Sequence, residues 1–397
     1  MSNSYLSILP VEILYRIFDN LDIETIICSI RYVCQQLYLT TNTYNRYRFD
    51  SQYQSKRNLQ FICQLIPFEN VISLTLSNQD RTYGQIELFF SLFSLEKFSR
   101  LQYLTFIEIN DELLSRSEDF IRKSHLKSLS ITLQPYSTPS SSLSAKILSS
   151  FLTHRTIEHF DLNIESLNWN ELQWSNDCQL QSLCINTNIN LTDFQTILKY
   201  SKQLKSLTLK EVIINDTDHD NISFEIYSQL KSLTVENYRI ELLQLERCLS
   251  LVPSLTSLTL IGDITLLNSP FDGFLWQKLF QTKLLSLKTF EVYISISICS
   301  NYPKKNLELL IDSFRTSFWL NQLHCFVQCD YIPNSRKIMF YTLPICHQYF
   351  AYSIDSKKIS LTNFSSNSTV YNMTRVQKLV LNLTKQTQAF SVGEIIS

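Results

Sequence analysis

The sequence predicts an α/β fold in two parts, a helical module over residues 1–50 followed by an irregular repeat solenoid over residues 51–397. Three observations point there. From residue 71 onward, a six-residue pattern (apolar, two others, apolar, one other, apolar) returns at a nearly constant step. The first fifty residues instead place their apolar side chains three and four apart, the period of a helix face. The chain also lacks the glycine-rich and histidine-rich motifs from which most catalytic domains are built.

The N-terminal helices come first. Pro10 suits a first helical position, where its missing N–H is no loss, and Ile13, Leu14, Ile17, Phe18 and Leu21 then line one face. Asp22 is placed to cap a second helix, in which Ile26, Ile27, Ile30, Val33, Cys34 and Leu37 repeat the spacing. Two amphipathic helices in about forty residues cannot make a self-sufficient core. Ile13, Ile17 and Phe18 are therefore expected to lack cover from this chain and to be sheltered by another subunit.

The run Leu9-Pro10-Val11-Glu12-Ile13-Leu14, with Ile17-Phe18, Leu21 and then Val33-Cys34, resembles an F-box over roughly residues 5–48. The chain departs from that family at Leu37, where an aromatic residue is common. The resemblance implies that Leu9, Pro10, Ile13, Leu14, Ile17 and Phe18 pack into a groove on a Skp-type adaptor, which a cullin scaffold carries in a ubiquitin ligase. The residues alone also allow a plainer role, in which the helices cap the first repeat.

The six-residue pattern is the core of a leucine-rich repeat. Its copies are Val71/Leu74/Leu76, Leu101/Leu104/Phe106, Leu126/Leu129/Ile131, Ile157/Phe160/Leu162, Leu180/Leu183/Ile185, Leu204/Leu207/Leu209, Leu230/Leu233/Val235, Leu255/Leu258/Leu260 and Leu287/Phe290/Val292, at steps of 30, 25, 31, 23, 24, 26, 25 and 32 residues. Each copy predicts a short strand with alternate residues inward, and Phe194/Ile197/Leu198 and Leu242/Leu243/Leu245/Leu249 read as return helices. A charge at Leu207 or Leu233 should unfold its neighbourhood, since burying a leucine contributes roughly 1.5–3 kcal/mol. Lys205, Ser206, Thr208, Lys231, Ser232 and Thr234 lie between the inward residues and face solvent.

The chain resembles F-box proteins with leucine-rich repeats in a degenerate form. Asn188 occupies the asparagine place of a regular repeat in one copy, and Glu165, Val212 and Asp263 stand there in others. Past residue 292 the pattern thins to strand-like runs at 323–327 and 338–343 and a late copy at Val376/Leu379/Leu381, read as irregular final repeats. The stretches Gln134–Ser144 and Asn363–Asn372 read as polar loops.

Composition narrows the function. Thirty-five basic against 36 acidic side chains leave no electrostatic footprint for nucleic acid. No apolar run approaches the roughly 18 residues of a membrane span, and Cys28, Cys34, Cys184 and Cys248 sit in apolar patterns as reduced thiols do. The reading is thus no membrane partner and a cytoplasmic or nuclear location, where the sequons at Asn190, Asn215 and Asn367 carry no sugar. Four glycines in the whole chain exclude a phosphate-binding loop and a dinucleotide fingerprint. Cys325, Cys329, Cys346 and His347 match no common zinc spacing, and Asp216, Asp218 and Asp220 around His219 lack the glycine and distal glutamate of a calcium loop.

These readings converge on a non-catalytic protein with no catalytic residues, no metal and no cofactor. It would be the substrate-recognition subunit of an SCF-type (cullin-RING) ubiquitin ligase, with the repeats holding an unidentified target protein. The alternative is a leucine-rich-repeat scaffold with no ligase link.

Overall fold

The computed structural model describes residues 9–52, 54–134, 141–164, 169–174, 178–213, 225–236, 242–265, 272–298, 304–346, 349–354, 358–364 and 378–383. The chain is mixed α/β and divides into two compact units, Met1–Thr187 with Lys199–Leu204, and Asn188–Leu198 with Lys205–Ser397.

The first unit begins with helices α1 (Val11–Phe18) and α2 (Gln35–Thr43), then alternates strand and helix: β1 (Tyr47–Asp50), α3 (Lys56–Leu65), β2 (Val71–Ser77), α4 (Gln85–Leu92), β3 (Tyr103–Ile109), α5 (Asp111–Lys123), β4 (Ser128–Leu133), α6 (Ser141–Leu152), β5 (His159–Asn163) and β6 (Ser182–Asn190), the last entering the second unit at Asn188. Neighbouring strands pair in parallel in chain order, which requires a crossover between them, and a helix supplies most of these. The register sets Phe49, Leu74, Leu104, Leu129, Phe160 and Leu183 side by side, all buried, with Leu76, Phe106, Ile131, Leu162 and Ile185 two residues further on. Alternation in a strand turns the residues between them to the other face.

Asparagines at the strand ends start several helices. Asn78 accepts from Ile86 N at 2.9 Å and donates to Glu87 Oε2 at 2.9 Å, while Asn110 accepts from Leu113 N at 2.9 Å. Asn190 and Asp193 bond each other's backbone N–H at 2.7 and 3.2 Å, a reciprocal cap at the start of α7 (Leu191–Tyr200). The capping asparagine is therefore Asn190. Asn188, expected in that role, is an exposed strand residue, Val212 is buried, Asp263 is exposed and Glu165 lies outside the described residues.

The second unit continues with most of α7, β7 (Ser206–Ile213), β8 (Ser232–Val235), α8 (Leu242–Ser250), β9 (Ser257–Thr265), α9 (Gly273–Lys283) and β10 (Thr289–Ser297). Strands β7 to β10 are parallel and align Leu207, Leu233, Leu258 and Phe290, again buried. Each of the nine copies of the six-residue pattern thus puts its last two apolar residues on a strand, with the first residue just before the strand in all but the Val71 copy, and the return residues Phe194, Ile197, Leu198, Leu245 and Leu249 are buried on helices.

The pattern then changes. After α10 (Lys304–Asp312) come β11 (Phe326–Ile332), β12 (Lys337–Leu343), β13 (Tyr349–Ile354), β14 (Ile359–Thr362) and β15 (Lys378–Leu383). Strand β12 pairs antiparallel with both β10 and β11, and β14 with β11. Where irregular final repeats were expected, β11 and β12 form an antiparallel hairpin. Its turn, Pro333–Ser335, ends on Arg336 in the left-handed region (φ 50°), which reverses the chain without a crossover. Leu323, read as strand, closes a helical turn at Phe318–Gln322, and the late copy supplies β15, paired in parallel with β13, while Val376 lies outside the described residues.

Two of the expected loops differ as well. Residues 135–140 lie outside the described residues, but α6 already starts at Ser141. Asn363, read as the start of a polar loop, is 2% exposed, donates to Phe314 O and Cys325 O at 3.0 Å each and accepts from Val327 N at 2.8 Å. Its amide ties three chain segments, a use that composition does not reveal. No helix among the described residues is long and apolar enough to cross a membrane.

Candidate functional site

The N-terminal helices are held by aromatic packing from their own C-terminal side. Phe18 meets the Tyr44 ring edge-on at 5.4 Å between centroids, and Tyr44 meets Tyr47 edge-on at 4.9 Å. Tyr44 donates to Asp19 Oδ1 at 2.8 Å, Tyr47 donates to the Thr41 carbonyl at 2.7 Å, and Arg46 pairs with Asp19 at 3.1 Å. Tyr47 opens β1, so the same rings that close the module also begin the sheet.

That closure divides the six residues expected at the adaptor. Leu14 is 0% and Phe18 2% exposed, both within this chain's core, whereas Pro10 and Ile13 are exposed and Leu9 and Ile17 half-buried. The expectation that Phe18 lies uncovered is corrected: it is 2% exposed, with Tyr44, absent from the helical pattern, packed on it and Tyr47 packed on Tyr44 in turn. The apolar side chains this segment leaves exposed are Val11 and Ile13 on α1, and Tyr32, Val33, Tyr38 and Leu39 further on. Gln36 reaches the Leu9 carbonyl at 3.5 Å, which brings the start of α1 beside α2. Val33 was legible only as an inward helical residue, yet it is 61% exposed.

The reason lies in the second helix, which is not continuous. Asp22 does cap its start, accepting from Thr25 N and Oγ1 at 2.7 Å each. The chain then winds loosely through Thr25–Ser29, tightens over Ile30–Tyr32 and becomes extended at Cys34 (φ −159°, ψ 165°) before α2 restarts. This break rotates Val33 out of the line of Ile26 and Ile27, which stay buried.

Burial sets the protonation of the tyrosines. Desolvation pushes Tyr47 up to about 12, and desolvation followed by the hydrogen bond to Asp19 pushes Tyr44 up as well. A group whose pKa is raised on folding contributes stability that is complete below its unfolded value, about 10, and lost as pH rises through the folded value. The module should therefore hold to about pH 10 and weaken above it. A phenolate absorbance titration should show a component near pH 12 that Tyr47→Phe removes. Its persistence in the variant would refute the assignment.

The candidate metal ligands are placed otherwise. Cys325 is 4% and Cys329 1% exposed, and the Cys325 thiol donates to the Phe290 carbonyl at 3.9 Å. Cys346 is half-buried, while His347 and the acidic loop around His219 lie outside the described residues. Among the described residues, no three His, Cys, Asp or Glu side chains converge as a metal site would require. Burial pushes the thiols of Cys63, Cys248 and Cys325 up to about 12. Iodoacetamide at mildly alkaline pH should leave these three unmodified in the native chain and label them in urea, a difference read by peptide mass spectrometry.

A search of curated protein sequences finds none that matches this chain. The F-box domain model matches residues 6–49, the segment that holds α1, the broken helix, α2 and the covering tyrosines. F-box domains bind Skp-type adaptors as part of SCF ubiquitin ligases, so this match supports an F-box protein with a role in substrate recognition for such a ligase.

Proposed function

We propose that the chain is a non-catalytic substrate receptor, which docks on a Skp-type adaptor through its N-terminal module and holds a target protein on leucine-rich repeats. The observation that carries this is the split burial of α1. One side, marked by Leu14 and Phe18 four residues apart, anchors the helix to its own chain, while Ile13 and half-buried Ile17, also four apart, lie on another side, where Ile13 is open to solvent. Large apolar side chains gathered on a surface mark an interaction site more often than chance. The adaptor contact then involves Leu9, Pro10, Ile13 and Ile17, and Leu14 and Phe18 contribute by fixing the helix.

The nine pattern copies, each with its last two apolar residues on a strand, and the helices between them support the repeat reading of residues beyond the module. A receptor of this kind needs no acid, base or nucleophile. It raises the effective concentration of a target lysine near the ubiquitin-charged enzyme that the cullin scaffold brings, in the cytoplasm or nucleus.

A scaffold with no ligase link is the second reading, favoured by the continuity of the module with β1. Truncation at residue 48 does not separate the two, because it cuts that strand and removes buried Tyr47. Co-purification of the intact chain with a Skp-type adaptor does. Stoichiometric capture is expected, and its failure would leave the scaffold.

A further inference from the structure

We propose that the groove between the end of α9 and the helical turn Phe318–Gln322, in the second unit, docks an acidic protein segment that carries an apolar anchor. This goes beyond the receptor reading and holds whether or not an adaptor docks on the first unit. The groove has a volume of about 310 Å³ and is lined by Phe280, Leu284, Leu285, Leu287, Phe318 and Leu323. Its size is at the small end of the range for ligand sites, room for a few side chains and not for a folded domain.

The local chain builds this shape. Phe280, Leu284 and Leu323 are buried and form the floor, while Leu287 and Phe318 are half-buried. Leu287 N–H donates to the Leu284 carbonyl at 3.0 Å, a tight turn that lifts Leu285 to 81% exposure. A leucine exposed alone is ordinary, but one that stands over an apolar groove marks an interaction site. The two walls are fixed to each other: Thr316 Oγ1 donates to Gln277 Oε1 at 2.8 Å, and Phe280 packs edge-on against Trp319 at 5.8 Å between centroids. A groove formed in advance spares an occupant the cost of ordering it.

Charge names the occupant. Residues 273–290, which make one wall, include Lys278, Lys283 and Lys288 and no Asp or Glu, and residues 313–329, which make the other, hold none either. Thr256, whose carbonyl accepts from Lys288 N–H at 2.8 Å, brings up a third stretch, 248–262, that is equally free of acid. Across a chain of 35 basic and 36 acidic side chains this is a local excess of positive charge. Arg315 is already paired with Asp312 at 2.6 Å, but none of the three lysines meets a carboxylate among the described residues. Lys278 lies one turn before Gln281 on α9 and Lys288 follows Leu287, so both border the groove. Gln281 and Gln322, exposed at its rim, offer amides to a segment's backbone. A segment that sets an apolar side chain on the floor and carboxylates against the lysines satisfies all of these at once. A membrane surface does not follow a concave floor, and a basic segment would be repelled.

The test is selection of a random twelve-residue peptide display library on the full-length chain, on Leu285→Asn and on Lys278→Glu with Lys288→Glu. All three residues are exposed, so both variants should keep the native thermal melt. On the native chain, peptides with a large apolar residue flanked by aspartate or glutamate should rise at least about tenfold over the starting library. That rise should vanish in about 1 M salt, where exposed charges are screened. Leu285→Asn should abolish the enrichment, and the double variant should turn it toward lysine and arginine. No enrichment on the native chain, enriched peptides without acidic residues, or acidic peptides that persist on the folded double variant would overturn the proposal. Capture of the chain on phosphatidylserine vesicles without any peptide enrichment would overturn it equally, by assigning the basic rim to a membrane. Should one variant melt early, the other decides.

Discussion

Replacing Ile13 and Val33 together by aspartate should abolish capture of a Skp-type adaptor and leave the melt of the chain within about 2 °C of native. Ile13 is 39% and Val33 61% exposed, so neither charge has to be buried in the free chain. In a complex both would be, and a carboxylate driven into an apolar groove without a partner costs more than most interfaces contribute. Phe18→Ala is the control that makes the argument specific. Phe18 is 2% exposed against Tyr44, so its truncation should cost about 3–5 kcal/mol of module stability and weaken capture only by unfolding the helix. Native capture by the Ile13→Asp, Val33→Asp chain would remove the open face of α1 from the interface.

Gly273→Ala should destabilise the second unit by about 3 kcal/mol, a drop in Tm of roughly 6–12 °C by calorimetry. A β-carbon at this position would stand 2.5 Å from the Ser313 carbonyl oxygen and 2.6 Å from its carbon. These are backbone atoms, which cannot swing aside as a side-chain tip would. The same contact carries two hydrogen bonds: Gly273 N–H donates to Ser313 Oγ at 2.8 Å, and Trp319 Nε1–H donates to the Gly273 carbonyl at 3.3 Å. Forcing the segments apart would open an aromatic cluster in which Phe290 packs on Trp276 at 5.3 Å and on Trp319 at 5.9 Å, with Phe314 on Trp319 at 4.8 Å. An alanine variant that melts like the native chain would show that α9 shifts freely.

Legibility followed the kind of contact involved. The strands from β2 to β10 could be read because each carries its own alternation, a local property that the neighbouring copy only reinforces. Strand β1 could not, since Tyr47-Arg48-Phe49-Asp50 is too short to show the six-residue pattern and takes its identity from pairing with β2. The hairpin β11–β12 escaped for a similar reason, because an apolar run does not state the direction of its partner. At the candidate site, the apolar residues of α1 were all visible, but their division was not. Ile13 and Leu14 are adjacent and equally apolar, yet Ile13 is 39% and Leu14 0% exposed, a division set by what the fold places against each.

By itself, then, the order of residues determined the helical module, the positions of the parallel strands from β2 to β10 and the inward line of leucines, since hydrophobic periods of 3.6 and 2 act over a few neighbouring residues. Tertiary structure alone decided which face of α1 is free, where the second helix breaks, how the last strands reverse, and that Gly273 and Asn363 carry more than their types suggest. Those outcomes depend on what another segment, tens of residues away, places against each side chain, and burial by a distant partner leaves no local trace in the chain.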